Sequence, residues 1–303
     1  MNDSTTNSTE INDDNLPKYD LSKLEHLFKL IRNEDSNVIK HYIIEHLNKF
    51  LGNKKYFYLF LYKPEESITN FDSDRIYWAT DNKKTQDILL IMHSLGGLIE
   101  PAYFISKICK EQSKKKFIVV IPSRAKSAAT LIALGADEIH MGLLSELGPI
   151  DPQINKNPAL SLSSALECIC NLTEKFPNTS SMFAEYLAKT LPLQQLGYFE
   201  RISDSAQHYA VRLLESKKEI LKNSPHAIAQ RLVYEYKDHS FVIDKDEATE
   251  IFGEKVIKLN TDEYKAGSEV YHFLEKVSLI LKYEKKLDIN IVGSVDQINF
   301  TNC

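Results

Sequence analysis

The chain has 303 residues, 43% of them hydrophobic and 26% charged, and a formal net charge of −5. That is the make-up of an ordinary globular protein long enough to bury a sizeable core, with no global positive field to recruit nucleic acid or an anionic membrane. The longest apolar stretch, Tyr56 to Tyr62, is strand-sized and far short of a membrane span.

Residues 1–20 are polar and acidic, with neither apolar periodicity nor the basic start and apolar stretch of a signal peptide. They read as a disordered tail, and the chain as cytoplasmic. Between Leu21 and Phe50 apolar residues recur at helical spacing (Leu24, Leu27, Phe28, Ile31, then Val38, Tyr42, Ile43, Leu47), which predicts two amphipathic helices broken near Asn33–Ser36. YFYLFLY (56–62) predicts a strand ended by Lys63-Pro64. ILLIMH (88–93) is a buried-type strand followed by Ser94-Leu95-Gly96-Gly97, and Leu98 to Cys109 has helical spacing. FIVVI (117–121) is a second such strand, followed by PSRAKS and a small-residue helix from Ala128 to Leu134 that stops at Gly135. EIHM (138–141) is a third, followed by SELGPIDPQ (145–153). Residues 160–190 and 200–235 read mostly as helix, 238–259 as turn, helix and strand, and roughly Thr261 to Tyr283 as a last helix. The expected organisation is a tail (1–20), an N-terminal helical segment (21–53), an α/β core (54–197) and a C-terminal helical segment that completes the core (198–303).

The four cysteines are Cys109, Cys168, Cys170 and Cys303. No second Cys/His pair stands at ligand spacing from Cys168-x-Cys170, and LSSALECICNL reads as the apolar stripe of a helix. Free, buried cysteines and no metal are expected.

Strands that alternate with helices predict a parallel sheet covered on both faces. Right-handed crossovers place the loops after 88–93, 117–121 and 138–141 together at the carboxyl edge of the sheet, where ligands bind. Gly96-Gly97, Ser127 and the 145–153 loop are therefore expected to be neighbours. Adjacent glycines let backbone N–H groups approach a substrate. A serine that opens a helix lies beside unpaired backbone donors, the arrangement that acyl transfer needs. Singly, a Gly-Gly after a strand is a turn and a serine before a helix is a cap; at one edge the functional reading is preferred. A phosphate-binding role has no support, since neither GxGxxG nor a Walker lysine is present.

HSLGGLIEPAYFISKIC and FIVVIPSRAKSAATLIALGADEIHMGLLSELGPIDPQI resemble the serine dehydrogenase proteinase family, which is related to signal peptide peptidase A and to the Clp proteolytic subunit. The match is closest over residues 88–154, with a weaker echo in HSFVIDKDEATEIFGEKV (239–256). The resemblance implies an α/β Clp/crotonase-like fold of stacked β-β-α units with N- and C-terminal helical additions. It further implies Ser127 as nucleophile and an oxyanion hole from the N–H groups of Gly97 and Ala128. Two departures stand out. Ala129 replaces a glycine that many relatives carry two residues after the serine. Cys168 stands where signal peptide peptidases place their lysine base, and the GPIDPQ loop lacks the histidine of the Clp subunit.

The general base is thus open: Lys126 is nearest, with His239, Asp151, His208 and Lys156 behind it as base or support. The leading reading is a cytoplasmic serine peptidase acting on extended or unfolded polypeptide, a homo-oligomer with no cofactor, no metal, no nucleic-acid partner and no membrane insertion. The rivals are an acyl-CoA-handling crotonase relative, which would use the same oxyanion hole without a nucleophile, and a catalytically silent assembly protein.

Overall fold

The computed structural model describes residues 18–52, 55–81, 85–154, 157–158, 161–190, 193–236 and 238–303. Residues 1–17 of the expected tail and Lys156 lie outside them.

In chain order the elements are α1 (Leu24–Asn33), α2 (Ser36–Phe50), β1 (Tyr56–Lys63), α3 (Asn70–Thr80), β2 (Asp87–Ser94) and α4 (Ile99–Gln112). Then come β3 (Phe117–Val120), β4 (Arg124–Ala125), α5 (Ala128–Leu134), β5 (Glu138–Met141), β6 (Glu146–Leu147), β7 (Gln153–Ile154) and β8 (Asn157–Pro158). The remainder comprises α6 (Ser161–Lys175), α7 (Ser180–Thr190), α8 (Leu193–Leu214), α9 (Pro225–Gln230), α10 (Lys245–Phe252), β9 (Ile257–Leu259), α11 (Asp262–Lys285), β10 (Leu287–Gly293) and β11 (Ile298–Asn302).

The main sheet runs β11-β10-β1-β2-β3-β5-β9. β1, β2, β3, β5 and β9 are mutually parallel, whereas β10 pairs antiparallel with both β1 and β11. Successive side chains on a strand point to opposite faces, and both faces here are covered. Leu59 and Leu61 of β1, with Ile88, Leu90 and Met92 of β2, enter one core with α4, α5 and α8. Phe60 and Tyr62 of β1, with Leu89 and Ile91 of β2, enter the other against α1, α2 and α11. This is why the strands appear in the sequence as unbroken apolar runs. β4 pairs with the end of β2 (Ser94 opposite Ala125) and with β6, making a short parallel ridge at the carboxyl edge. β3-β4-α5 is thereby a β-β-α unit, as expected of a Clp/crotonase-like α/β fold.

Three expectations need correction. The C-terminal segment is not purely helical, because β10 and β11 extend the sheet beyond β1. α3 lies where no helix was expected: its Phe71, Tyr77 and Trp78 are exposed, so the buried face leaves no apolar stripe. The last helix, by contrast, lies where it was expected: it runs from Asp262 to Lys285 and is followed by Lys286 in the left-handed conformation. Cys168 and Cys170 do sit on a helix, α6, but both are exposed; of the four cysteines only Cys109 is buried.

Candidate active site

Ser127 stands at the turn from β4 into α5 with φ 52° and ψ −119°, a conformation that a side chain rarely tolerates. Its hydroxyl makes no capping bond to the helix it precedes. The reading as a simple helix cap therefore fails, and Oγ is left available. Ala128 is the first helical residue, so its N–H has no intrahelical carbonyl to bond. Every residue of α5 is buried, which fixes the turn rigidly.

The Gly-Gly loop is held against this turn. Lys126 N–H donates to Ser94 O at 3.1 Å, and Gly96 N–H donates to Ser94 Oγ at 3.1 Å. A Cβ on Gly96, where φ is +108°, would lie 2.8 Å from both Lys126 O and Ser127 Cβ. Glycine is what lets the two loops touch. Gly97 sits in a parallel bridge with Ile68: Ile68 N–H donates to Gly96 O (2.8 Å) and Leu98 N–H to Ile68 O (3.0 Å). In that pattern the bonds come from the flanking residues, so the N–H of Gly97 itself points away from Ile68. A Cβ on Gly97 would meet Ile68 N at 2.2 Å, so the space it lacks is on the Ile68 side. Ile68 is held in turn by a buried ion pair. Lys63 Nζ reaches Asp72 Oδ2 and Ser67 O, both at 2.8 Å, and Asp72 Oδ2 accepts from Thr69 N–H at 2.7 Å.

The SELGPIDPQ string docks on the other side of the serine turn, nearly residue by residue. Ser145 Oγ donates to Ile121 O, and Glu146 N–H donates to Ser123 O at 2.7 Å. Thr130 Oγ1 of α5 lies 2.8 Å from Gly148 O. Leu147 bridges antiparallel to Ile243, and Ile150 N–H donates to Leu232 O at 2.8 Å. These contacts bring the 239–243 segment alongside the 147–151 segment. Asp151, 5% exposed, then faces His239, with Oδ2 3.7 Å from Nδ1. That exceeds a hydrogen bond; catalytic bonds of this kind commonly tighten only when substrate binds.

Ser127, Gly96, Gly97, Pro152 and His239 line one cavity of ≈ 710 Å³, walled by Tyr198, Ile202 and Tyr209 of α8. Lys126 is 8% exposed and turns away from bulk water. Its Nζ lies 3.3 Å from Leu147 O, 3.1 Å from Phe241 O and 3.2 Å from Glu146 Oε2. An ammonium has three donors, and here are three acceptors. Deeper along β2, His93 is packed between the rings of Tyr62 and Tyr271. Burial, reinforced by the charge of Arg124, pushes its pKa down to about 4.

The three loops expected to converge do so. Of the candidate bases, His239 joins the cavity with Asp151 behind it; Lys126 is engaged by its three acceptors; His208 is exposed on α8 and outside the cavity lining. Sequence reading passed over Glu146, Gly148, Lys63 and Asp72. The last had a local signal in Thr69-x-x-Asp72, the spacing of a capping pair. Among the described residues no cluster of histidines, cysteines and carboxylates could hold a metal, and no helix is long and apolar enough to cross a membrane.

A family model of ClpP-like SDH-type serine proteinases matches residues 19–189. The chain belongs to this family. The matched region carries Ser127, both loop glycines and Asp151, while His239 and α8 beyond Thr190 lie past it. Curated relatives include the uncharacterized protein MJ1495 of Methanocaldococcus jannaschii, 35% identical over 138 residues, 45% of this chain and 46% of that one. A second from the same organism, MJ0137, is 42% identical over 101 residues, 33% of this chain and 35% of its own. The chain thus spans less than half the length of the curated relatives it matches. A solved structure of the 1510-N membrane-bound stomatin-specific protease aligns over 74% of this chain and 85% of its own, at 16% identity and a TM-score of 0.43.

Proposed function

We propose that this member of the SDH-type proteinase family is an active serine peptidase with a Ser127–His239–Asp151 catalytic set. The observation that carries the reading is the shared cavity: a strained serine with an unbonded hydroxyl and a histidine backed by a buried carboxylate open onto the same space. Ser127 Oγ attacks the substrate's acyl carbon while His239 takes its proton. Nδ1 of His239 faces Asp151, which leaves Nε2 for the serine. Negative charge on the acyl oxygen is met by the N–H groups of Gly97 and Ala128. His239 then protonates the leaving amine, and water cleaves the acyl-enzyme by the same route in reverse.

An open cavity at a sheet edge suits an extended or unfolded polypeptide better than a compact small molecule. A cytoplasmic setting is proposed with it, since a net charge of −5 gives the chain no attraction to an anionic membrane surface. A homo-oligomer is the proposed assembly, supported by the exposed apolar residues of α6 and α7, including Leu172, Met182 and Tyr186; a monomer by light scattering across micromolar concentrations would refute it. The catalytic reading is tested with a fluorophosphonate probe. Ser127 should be labelled, and His239→Ala should slow labelling by about 100-fold or more, the scale of a lost general base. Wild-type labelling in His239→Ala, or no labelling of the native protein, would sink it.

A further inference from the structure

Lys126 is adjacent to the serine, yet its amine is directed elsewhere. Through its own backbone and the three atoms its amine contacts, it ties together three segments of the site. Its own backbone leads straight into Ser127. Leu147 O and Glu146 Oε2 belong to the loop that carries Asp151. Phe241 O lies two residues beyond His239. The side chain that makes these contacts threads over Gly148, where a Cβ would come 2.5 Å from Lys126 Cδ. Among the described residues no other side chain joins these three segments at one atom.

We infer that Lys126 is the positioning residue of the site, an ammonium strut that fixes the separation of Ser127, Asp151 and His239, and that it takes no proton from the serine. The inference rests on the Ser127–His239–Asp151 reading. A neutral amine has only two N–H donors and would leave one of the two carbonyls or the carboxylate unmatched in a nearly dry spot. The charge is therefore part of the fit. Loss of the strut lets the 239–243 turn and the 146–151 loop drift apart, and a displacement of about 1 Å in a catalytic constellation reduces rate by about 100-fold.

The test is the rate at which a fluorophosphonate labels Ser127, followed against pH in wild type, Lys126→Met, Lys126→Arg and Glu146→Gln. Lys126→Met should label about 10- to 100-fold more slowly, with the acid limb of its pH profile where the wild type has it. Lys126→Arg should recover most of that loss, because a guanidinium keeps its charge and its donors. A base role predicts the opposite: an inactive arginine variant and a displaced acid limb. Either result, or wild-type labelling in Lys126→Met, overturns the strut. Should Lys126→Met fail to fold, Glu146→Gln decides: labelling slowed by about 3- to 10-fold supports the strut and wild-type labelling refutes it. Failure of the underlying triad is read separately, from His239→Ala with Lys126 intact.

Discussion

Replacing Ser127 by glycine and by alanine separates what the residue does for chemistry from what its backbone imposes on the fold. Its φ of 52° and ψ of −119° lie in a region that glycine enters freely and any residue with a Cβ enters under strain. Positions of this kind store about 1–3 kcal/mol each. Alanine keeps the Cβ and hence the strain, and it loses nothing else, because the serine hydroxyl makes no cap bond. Ser127→Ala should therefore match the wild type within about 0.5 kcal/mol. Glycine releases the strain but gives the unfolded chain extra freedom, worth about 0.5–1 kcal/mol. At the middle of these ranges Ser127→Gly is more stable than Ser127→Ala by about 1 kcal/mol, or roughly 2–4 °C in melting temperature. Calorimetry reads the difference directly, and both variants should be blind to the fluorophosphonate. A glycine variant that melts at or below the alanine variant would show that the turn is unstrained, and would remove the structural argument that Ser127 is held for attack.

His93 gives a pH test: its folded pKa of about 4 lies below the ordinary ~6.5, so the unfolded chain binds more protons between those values. Stability fully present above pH ~6.5 should fall by about 3 kcal/mol as pH drops toward 4, and His93→Gln should flatten that slope in urea titrations. Lys63→Met leaves Asp72 buried without its cation and should destabilise by about 3 kcal/mol in chemical denaturation, with slower labelling of Ser127 because the Ile68 brace on Gly97 loosens. Gly97→Ala should lower peptide hydrolysis by about 100-fold, since the loop must shift off Ile68 and carry its N–H with it; normal turnover would show that the loop is not the oxyanion site.

What the sequence makes legible follows from how local its signals are. The runs 88–93 and 117–121 are apolar on both faces, so strand type and parallel pairing can be read, and the meeting of Gly97, Ser127 and the 145–153 loop is then a matter of topology. The pairing of His239 with Asp151 is different. The two are brought together by the Leu147–Ile243 bridge and the Ile150–Leu232 bond, contacts between loops that no periodicity announces. Lys126 looks like a base in sequence because it is adjacent to the serine; only the turn geometry reveals that its amine is directed elsewhere. β10 escaped notice because it follows α11 after a single left-handed residue, Lys286, and its short run is interrupted by the buried polar Asn290.

The position of β10 also bears on how the protein is made. β1 is the first of the described strands to be made and at first gains a neighbour on one side only: β2 emerges soon after it, but its other edge stays open until residues 287–293 leave the ribosome. Until then an apolar strand edge lacks its partner, a template for unwanted pairing that a chaperone would have to shield. Chain order also separates the candidate catalytic residues in time. His239 and the Phe241 carbonyl are added more than a hundred residues after Ser127, so the proposed nucleophile is synthesised well before its proposed base. On the proposed Ser127–His239–Asp151 set, a nascent chain halted before residue 239 would carry the serine turn without its base and would not label with a fluorophosphonate.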